Sequence, residues 1–172
     1  YKGNREGQAK PVHYAALRSV LCDVYGGRVP DGGLEADDAL GIRLGQLGNS
    51  GVIVSIDKDL LQMPGRHYNW VTGEHVVVEP KDGHLHLGCQ IISGDPTDNV
   101  PGLPGLGEAK SRKLLGDAAN PRDMLARVRK AYLDHAGGDK EAAERYFLEQ
   151  GSLVYILRSE GDSFGKYLEK YQ

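Results

Sequence analysis

Gly51-Val-Ile-Val-Ser-Ile-Asp-Lys-Asp59 is the stretch on which the fold turns. Residues 51–56 are an apolar, largely β-branched run bounded by Gly and Asp. That pattern predicts a strand buried on both faces of a parallel sheet. Asp57 and Asp59 follow directly, and residues two apart on an extended chain point the same way. Ligands of open α/β sheets bind at the carboxyl ends of the strands, so the run predicts an α/β core with an acidic site at a strand's end.

Working outward, Pro11 can open a helix to about Tyr25 with Val12, Leu17, Val20, Leu21 and Val24 on its buried side, ended by Gly26-Gly27. Glu35 to about Leu47 reads as an amphipathic helix with acids in its first turn. His67–Val71 and His75–Val78 are short strands joined by a turn at Thr72-Gly73. Beyond Gly94 the pattern changes to turns and helices over 108–115, 122–135 and 140–150, with an apolar tail of Leu153, Val154, Ile156 and Leu157. The chain therefore divides into an α/β part, 1–93, and a second part, 94–172, whose helical region begins near Pro101.

The 172 residues, 40% apolar and 26% charged, have the composition of a soluble globular protein. No apolar run is long enough to span a bilayer. Cys22 and Cys89 form no metal-type spacing, which predicts a reduced, cytoplasmic setting. The chain starts at Tyr1, and its natural N-terminus is expected to lie upstream. A net charge of −3 argues against general nucleic-acid coating, yet Lys110–Lys130 holds seven Lys/Arg against Asp117 and Asp123. A solvated helix face is the commoner reason for such a run. His67, His75, His84 and His86 read as surface or strand residues, and Trp70 gives no site.

The acids gather in three clusters, Glu35-Ala-Asp37-Asp38, Asp57-Lys-Asp59 and Asp95-Pro-Thr-Asp98. Glu35 and Asp38 are spaced for one helix face, and Asp95 and Asp98 bracket one helical turn. Each cluster alone reads as helix caps facing water. Together, seven carboxylates need a cation to sit close, and hard oxygen donors suit Mg²⁺ or Mn²⁺. Two such ions can clamp an in-line phosphoryl displacement.

Val100-Pro-Gly-Leu-Pro-Gly-Leu-Gly107 leads into the basic helix Glu108-Ala-Lys-Ser-Arg-Lys-Leu-Leu115. Gly102, Gly105 and Gly107 permit tight geometry and close backbone approach. Amides at the helix start suit phosphate, and Lys110, Arg112 and Lys113 add charge for sequence-independent, salt-sensitive contacts. A plain Pro/Gly loop is the bland reading, while Leu103 and Leu106 read as packing residues.

The stretches 35–38, 55–60 and 94–107 resemble, in order, the motifs of the flap endonuclease / 5′→3′ exonuclease family. That family includes phage 5′-exonucleases and the 5′-nuclease domain of DNA polymerase I. Tyr1-Lys-Gly-Asn-Arg5 is similar to the family's Tyr-Lys-x-x-Arg element at the base of a helical arch, so the match spans roughly 1–115. The resemblance implies a PIN-like parallel-sheet core with a helix–three-turn–helix DNA clamp. It assigns Glu35, Asp37 and Asp38 to a first metal site, and Asp57, Asp59, Asp95 and Asp98 to a second. It puts Lys2 and Arg5 near the scissile phosphate and Tyr1 on a displaced base. It sets Gly102, Gly105, Gly107, Lys110, Arg112 and Lys113 on duplex phosphates, with K⁺ at the hairpin. The implied substrate is DNA with 5′ ends or flaps, including RNA primers, cut by a monomer in a bacterial or phage-infected cell. The family has two further metal-site aspartates before the Tyr-Lys element, and neither is in this sequence.

Two other readings remain. A haloacid dehalogenase-type phosphatase also places Asp-x-Asp after a strand. Leu61, however, stands where it needs Thr or Val, and the glycine hairpin would be left without a role. A non-catalytic DNA-binding module on the same fold would keep the hairpin alone.

Overall fold

The computed structural model of the chain describes residues 9–30 and 33–171. Val52–Val54 (β1) pairs in parallel with Gly65–Asn69 (β2), and β2 pairs antiparallel with Glu74–Val78 (β3). Ile53 lies opposite His67, which lies opposite Val76. The β2–β3 hairpin is shifted from the expected position: the Asn69 side chain accepts from the Val71 and Thr72 amides, which ends the strand before Trp70. Gly73, at φ 75°, completes the turn.

β1 is not buried on both faces. Ile53 is 3% exposed, but Val52 and Val54 are 42% and 57% exposed. Alternate side chains point to opposite faces, and the described residues cover only one. There Ile53 meets Leu44 of the helix Ala36–Leu47 (α2), with Leu60, Met63 and Ile156. The helix Tyr14–Asp23 (α1) departs further from expectation, because it buries none of its residues and leaves Leu17, Val20, Leu21 and Val24 exposed. An amphipathic period shows that a helix has an apolar face; it does not supply the partner.

The larger core is built around Pro80–Ser93 (α3), a helix the sequence pattern does not announce. Its buried positions include Gly83, His84, Gly88 and Gln90 as well as Leu87, Cys89, Ile91 and Ile92, so polar and glycine residues interrupt the apolar stripe. Glu108–Leu115 (α4), Pro121–His135 (α5) and Lys140–Val154 (α6) pack around it, and Phe164–Lys170 (α7) closes on α6. Asn120, Asp139 and Ser163 cap α5, α6 and α7 by accepting from the amides of Asp123, Ala142 and Lys166. His67 is a strand residue as expected, buried within β2, whereas His84 is buried on α3 and is neither a surface nor a strand residue. His84 Nδ1 shares a hydrogen bond with the Tyr167 hydroxyl at 2.7 Å, tying α3 to α7. No helix among the described residues is long and apolar enough to cross a membrane.

Candidate metal centre and nucleic-acid interface

The acidic clusters meet at one pocket of about 260 Å³. Glu35, Asp37, Asp38, Asp59, Asp95 and Asp98 line it, together with Gln90, Val100 and residues 152–156. Each cluster is positioned by its own local device. Glu35 is the N-cap of α2 and forms a capping box with Asp38. The Asp38 carboxylate also accepts from the Leu157 amide at 3.0 Å, fastening the cluster to the segment after α6.

Asp57 and Asp59 do not point the same way. The Asp57 side chain accepts from the Asp59 amide, so the chain leaves the extended form and begins a 3₁₀ turn at Asp59. Asp59 enters the pocket wall, whereas Asp57 stays exposed outside it. Asp95 and Asp98 likewise lie in a turn rather than a helix. Asp95 and Val100 form a β-bridge around it, and Asn99 takes φ 60°.

Two carboxyls carry the electrostatic signature of crowding. Asp59 is pushed up to about 6, first by burial, then by the charges of Asp57 and Asp95, a hydrogen bond with Asp95, and the charge of Asp98. Asp37 is also raised, chiefly by burial, with Glu35 and Asp38 adding to it. Among the described residues, no three carboxylate, imidazole or thiol groups already converge as a ready ligand set. The charged donors are nonetheless all carboxylates on one pocket, with no thiol or imidazole among the described residues of its wall. That chemistry, and the mutual repulsion felt at Asp59, fit a hard divalent cation.

Gln90 and Gln62 are residues that motif reading missed. Gln90 donates to the Asp59 carboxylate at 2.7 Å and accepts from Gln62, which also donates to the Val154 carbonyl and accepts from the Ile156 amide. Both are buried, and nothing in their local sequence distinguishes them from surface glutamines.

The glycine hairpin sits beside the pocket through Val100. The Gly102 amide donates to Gln150 and its carbonyl accepts from Tyr146, both on α6. Leu103 is buried and Leu106 packs against the core. Gly105 and Gly107 lie on the exposed side. Lys110 folds back to donate to the Gly105 carbonyl at 2.8 Å. Much of the remaining basic stretch is paired: Arg112 with Glu108, Arg127 with Asp117 and Asp123, Arg129 with Glu144, and Lys130 with Asp134. Lys113 is exposed on α4. Tyr1, Lys2 and Arg5 lie outside the described residues.

A small mixed sheet with an acidic pocket beyond the end of β1, followed by a hairpin and helices, makes a PIN-like α/β fold. The T5 D15 protein, crystallised with metal ions, has this fold too. It superimposes with a TM-score of 0.60 at 17% identity over 99% of this chain and 75% of its own. The exodeoxyribonuclease of Enterobacteria phage T3 is 34% identical over 117 residues, 63% of this chain and 38% of its own length. The DNA polymerase I of Pseudomonas aeruginosa is 31% identical over 148 residues, 73% of this chain and 15% of the polymerase. No protein-family model matches. The chain is thus similar to phage exonucleases and to part of bacterial DNA polymerase I, and it spans well under half the length of these relatives.

Proposed function

We propose that this chain carries the metal pocket and the DNA-gripping part of a 5′-nuclease that hydrolyses DNA phosphodiesters with two divalent ions. The observation that carries this reading is the convergence of three sequence-distant acidic clusters on one pocket next to a glycine hairpin. Glu35, Asp37 and Asp38 would hold one Mg²⁺ or Mn²⁺, and Asp59, Asp95 and Asp98, with Asp57 behind them, the other. Bound ions supply Lewis-acid activation of water and offset the charge that develops on the phosphate. The protein's own part is positional. Gln90 fixes Asp59, the capping box fixes Glu35 and Asp38, and the amides of Gly105 and Gly107 with Lys110, Arg112 and Lys113 hold duplex phosphates. K⁺ at the hairpin, and Lys2 and Arg5 near the scissile phosphate with Tyr1 stacked on a base, belong to the same proposal. The relatives named DNA polymerase I support a role in replication or primer removal at DNA 5′ ends or flaps.

The test is cleavage of 5′-labelled flap and blunt duplexes by the intact protein. Short 5′ products should form with Mg²⁺ or Mn²⁺ and stop with EDTA. Asp59→Asn and Asp95→Asn should suppress cleavage while duplex binding survives. Binding without any metal-dependent cleavage would make the chain a non-catalytic module instead.

A further inference from the structure

Beside the acidic pocket lies a second cavity of about 120 Å³, which shares Asp59, Gln90 and Asp95 with the first. Its other wall has the opposite chemistry. Lys58 stands between the strand-end aspartates, His86 comes from α3, and Arg112 from the helix after the hairpin. Neither Lys58 nor His86 has a role in the scheme above. The His86 Nε2 atom is buried without a hydrogen-bond partner, although a polar atom buried in this way ordinarily has one. His86 is held below its ordinary value by burial first and then by Arg112, with a smaller push from the Lys58 charge, while Glu108 and the Lys58 backbone act in the opposite direction. Glu108 lies 3.6 Å from Arg112.

A DNA strand whose scissile phosphate lies at the acidic pocket must place its neighbouring phosphate within one nucleotide of it. We propose that Lys58, His86 and Arg112 form a phosphate-binding subsite that holds this flanking phosphate of the substrate strand. The inference rests on the metal reading of the first pocket, because only with cations there do Asp59 and Asp95 cease to oppose an anion next door. Held there, the flanking phosphate keeps the strand seated across the acidic pocket.

The test measures binding of 5′-flapped DNA to the intact protein with Ca²⁺ in place of Mg²⁺, using substrates that carry a neutral methylphosphonate at one linkage at a time. The wild-type protein should lose affinity when the flanking linkage is neutral. The Lys58→Gln/Arg112→Gln variant should show no further loss at that linkage, keep its losses elsewhere, and have a salt slope lower by about one to two. Glu108→Gln, which removes the opposing charge, should tighten binding, a direction that a purely structural role would not give. Substrates with and without a 5′-phosphate identify the source of the phosphate. Coupling to the terminal group assigns the cavity to the chain end, and coupling to an internal linkage assigns it to a diester. Additive losses at every position, or a Glu108→Gln variant that binds no tighter, overturn the subsite. Absence of Mg²⁺-dependent cleavage by the wild-type protein would instead strike the metal reading, so the two failures are distinguishable.

Discussion

Asp59 has its Oδ1 held by Gln90 at 2.7 Å, and Gln90 is in turn held by Gln62. A ligating carboxylate that is free to rotate loses metal affinity, and removing such an outer partner commonly costs roughly 10- to 100-fold. Gln90→Leu should therefore weaken Mn²⁺ binding, followed by calorimetry, by roughly that factor. Duplex affinity in EDTA should stay near wild type, because Gln90 faces the pocket and not the hairpin. Unchanged Mn²⁺ affinity would reduce Gln90 to a packing residue. At this scale the sequence was half legible. The seven carboxylates stood out by clustering, but the shift of Asp57 out of the pocket follows from one side-chain-to-amide bond within the motif, which residue spacing does not reveal.

The hairpin between α3 and α4 shows why its glycines are not equivalent. A Cβ added at Gly102, φ 61°, would come within 2.3 Å of the Gly94 amide nitrogen and 2.4 Å of the Ser93 carbonyl carbon. Those are backbone atoms pinned by the Leu103-to-Ile92 hydrogen bond, so nothing can yield. Gly105, φ 76°, has nothing within 4 Å of its Cβ position. Gly105→Ala should cost only the left-handed backbone penalty, about 1–2 kcal/mol, which lowers Tm by about 2–8 °C for a chain of this size. Gly102→Ala should cost clearly more and loosen duplex binding as well, because it displaces the hairpin from Gln150 and Tyr146. Equal Tm losses for the two variants would mean that the close approach between residues 94 and 102 contributes little. The Pro-Gly repeat made this element legible as a hairpin. Which glycine is the tight one depends on α3, and α3 was hidden by the glycines, His84 and Gln90 on its buried side.

Across the described residues there are two cores of unequal size. A small cluster of Leu44, Ile53, Leu60, Met63 and Ile156 lies under the sheet, and a much larger one spans Leu87 to Leu168. The α/β pattern and the later helices were readable because they rest on local periodicity. The way the two cores join was not, because it rests on a polar side chain making contacts about ninety residues away. Gln62 is that joint. It is fully buried, donates to Gln90 and to the Val154 carbonyl, and accepts from the Ile156 amide. Gln62→Leu keeps much of the volume but strands those three polar partners in the interior. Each unsatisfied buried group costs about 1–3 kcal/mol, so the variant should lose at least ~3 kcal/mol in urea unfolding. Val52→Ala, on the exposed sheet face, is the control and should stay within about 0.5 kcal/mol. Hydrogen exchange separates a local from a global effect. If Gln62 joins the cores, the Ile156 and Leu157 amides should exchange much faster in Gln62→Leu while those of α5 keep most of their protection, because α5 packs in the larger core away from Gln62. A loss below 1 kcal/mol with unchanged exchange at Ile156 would show that the two cores hold together by apolar packing alone, and that the Gln62 network only fills space between them.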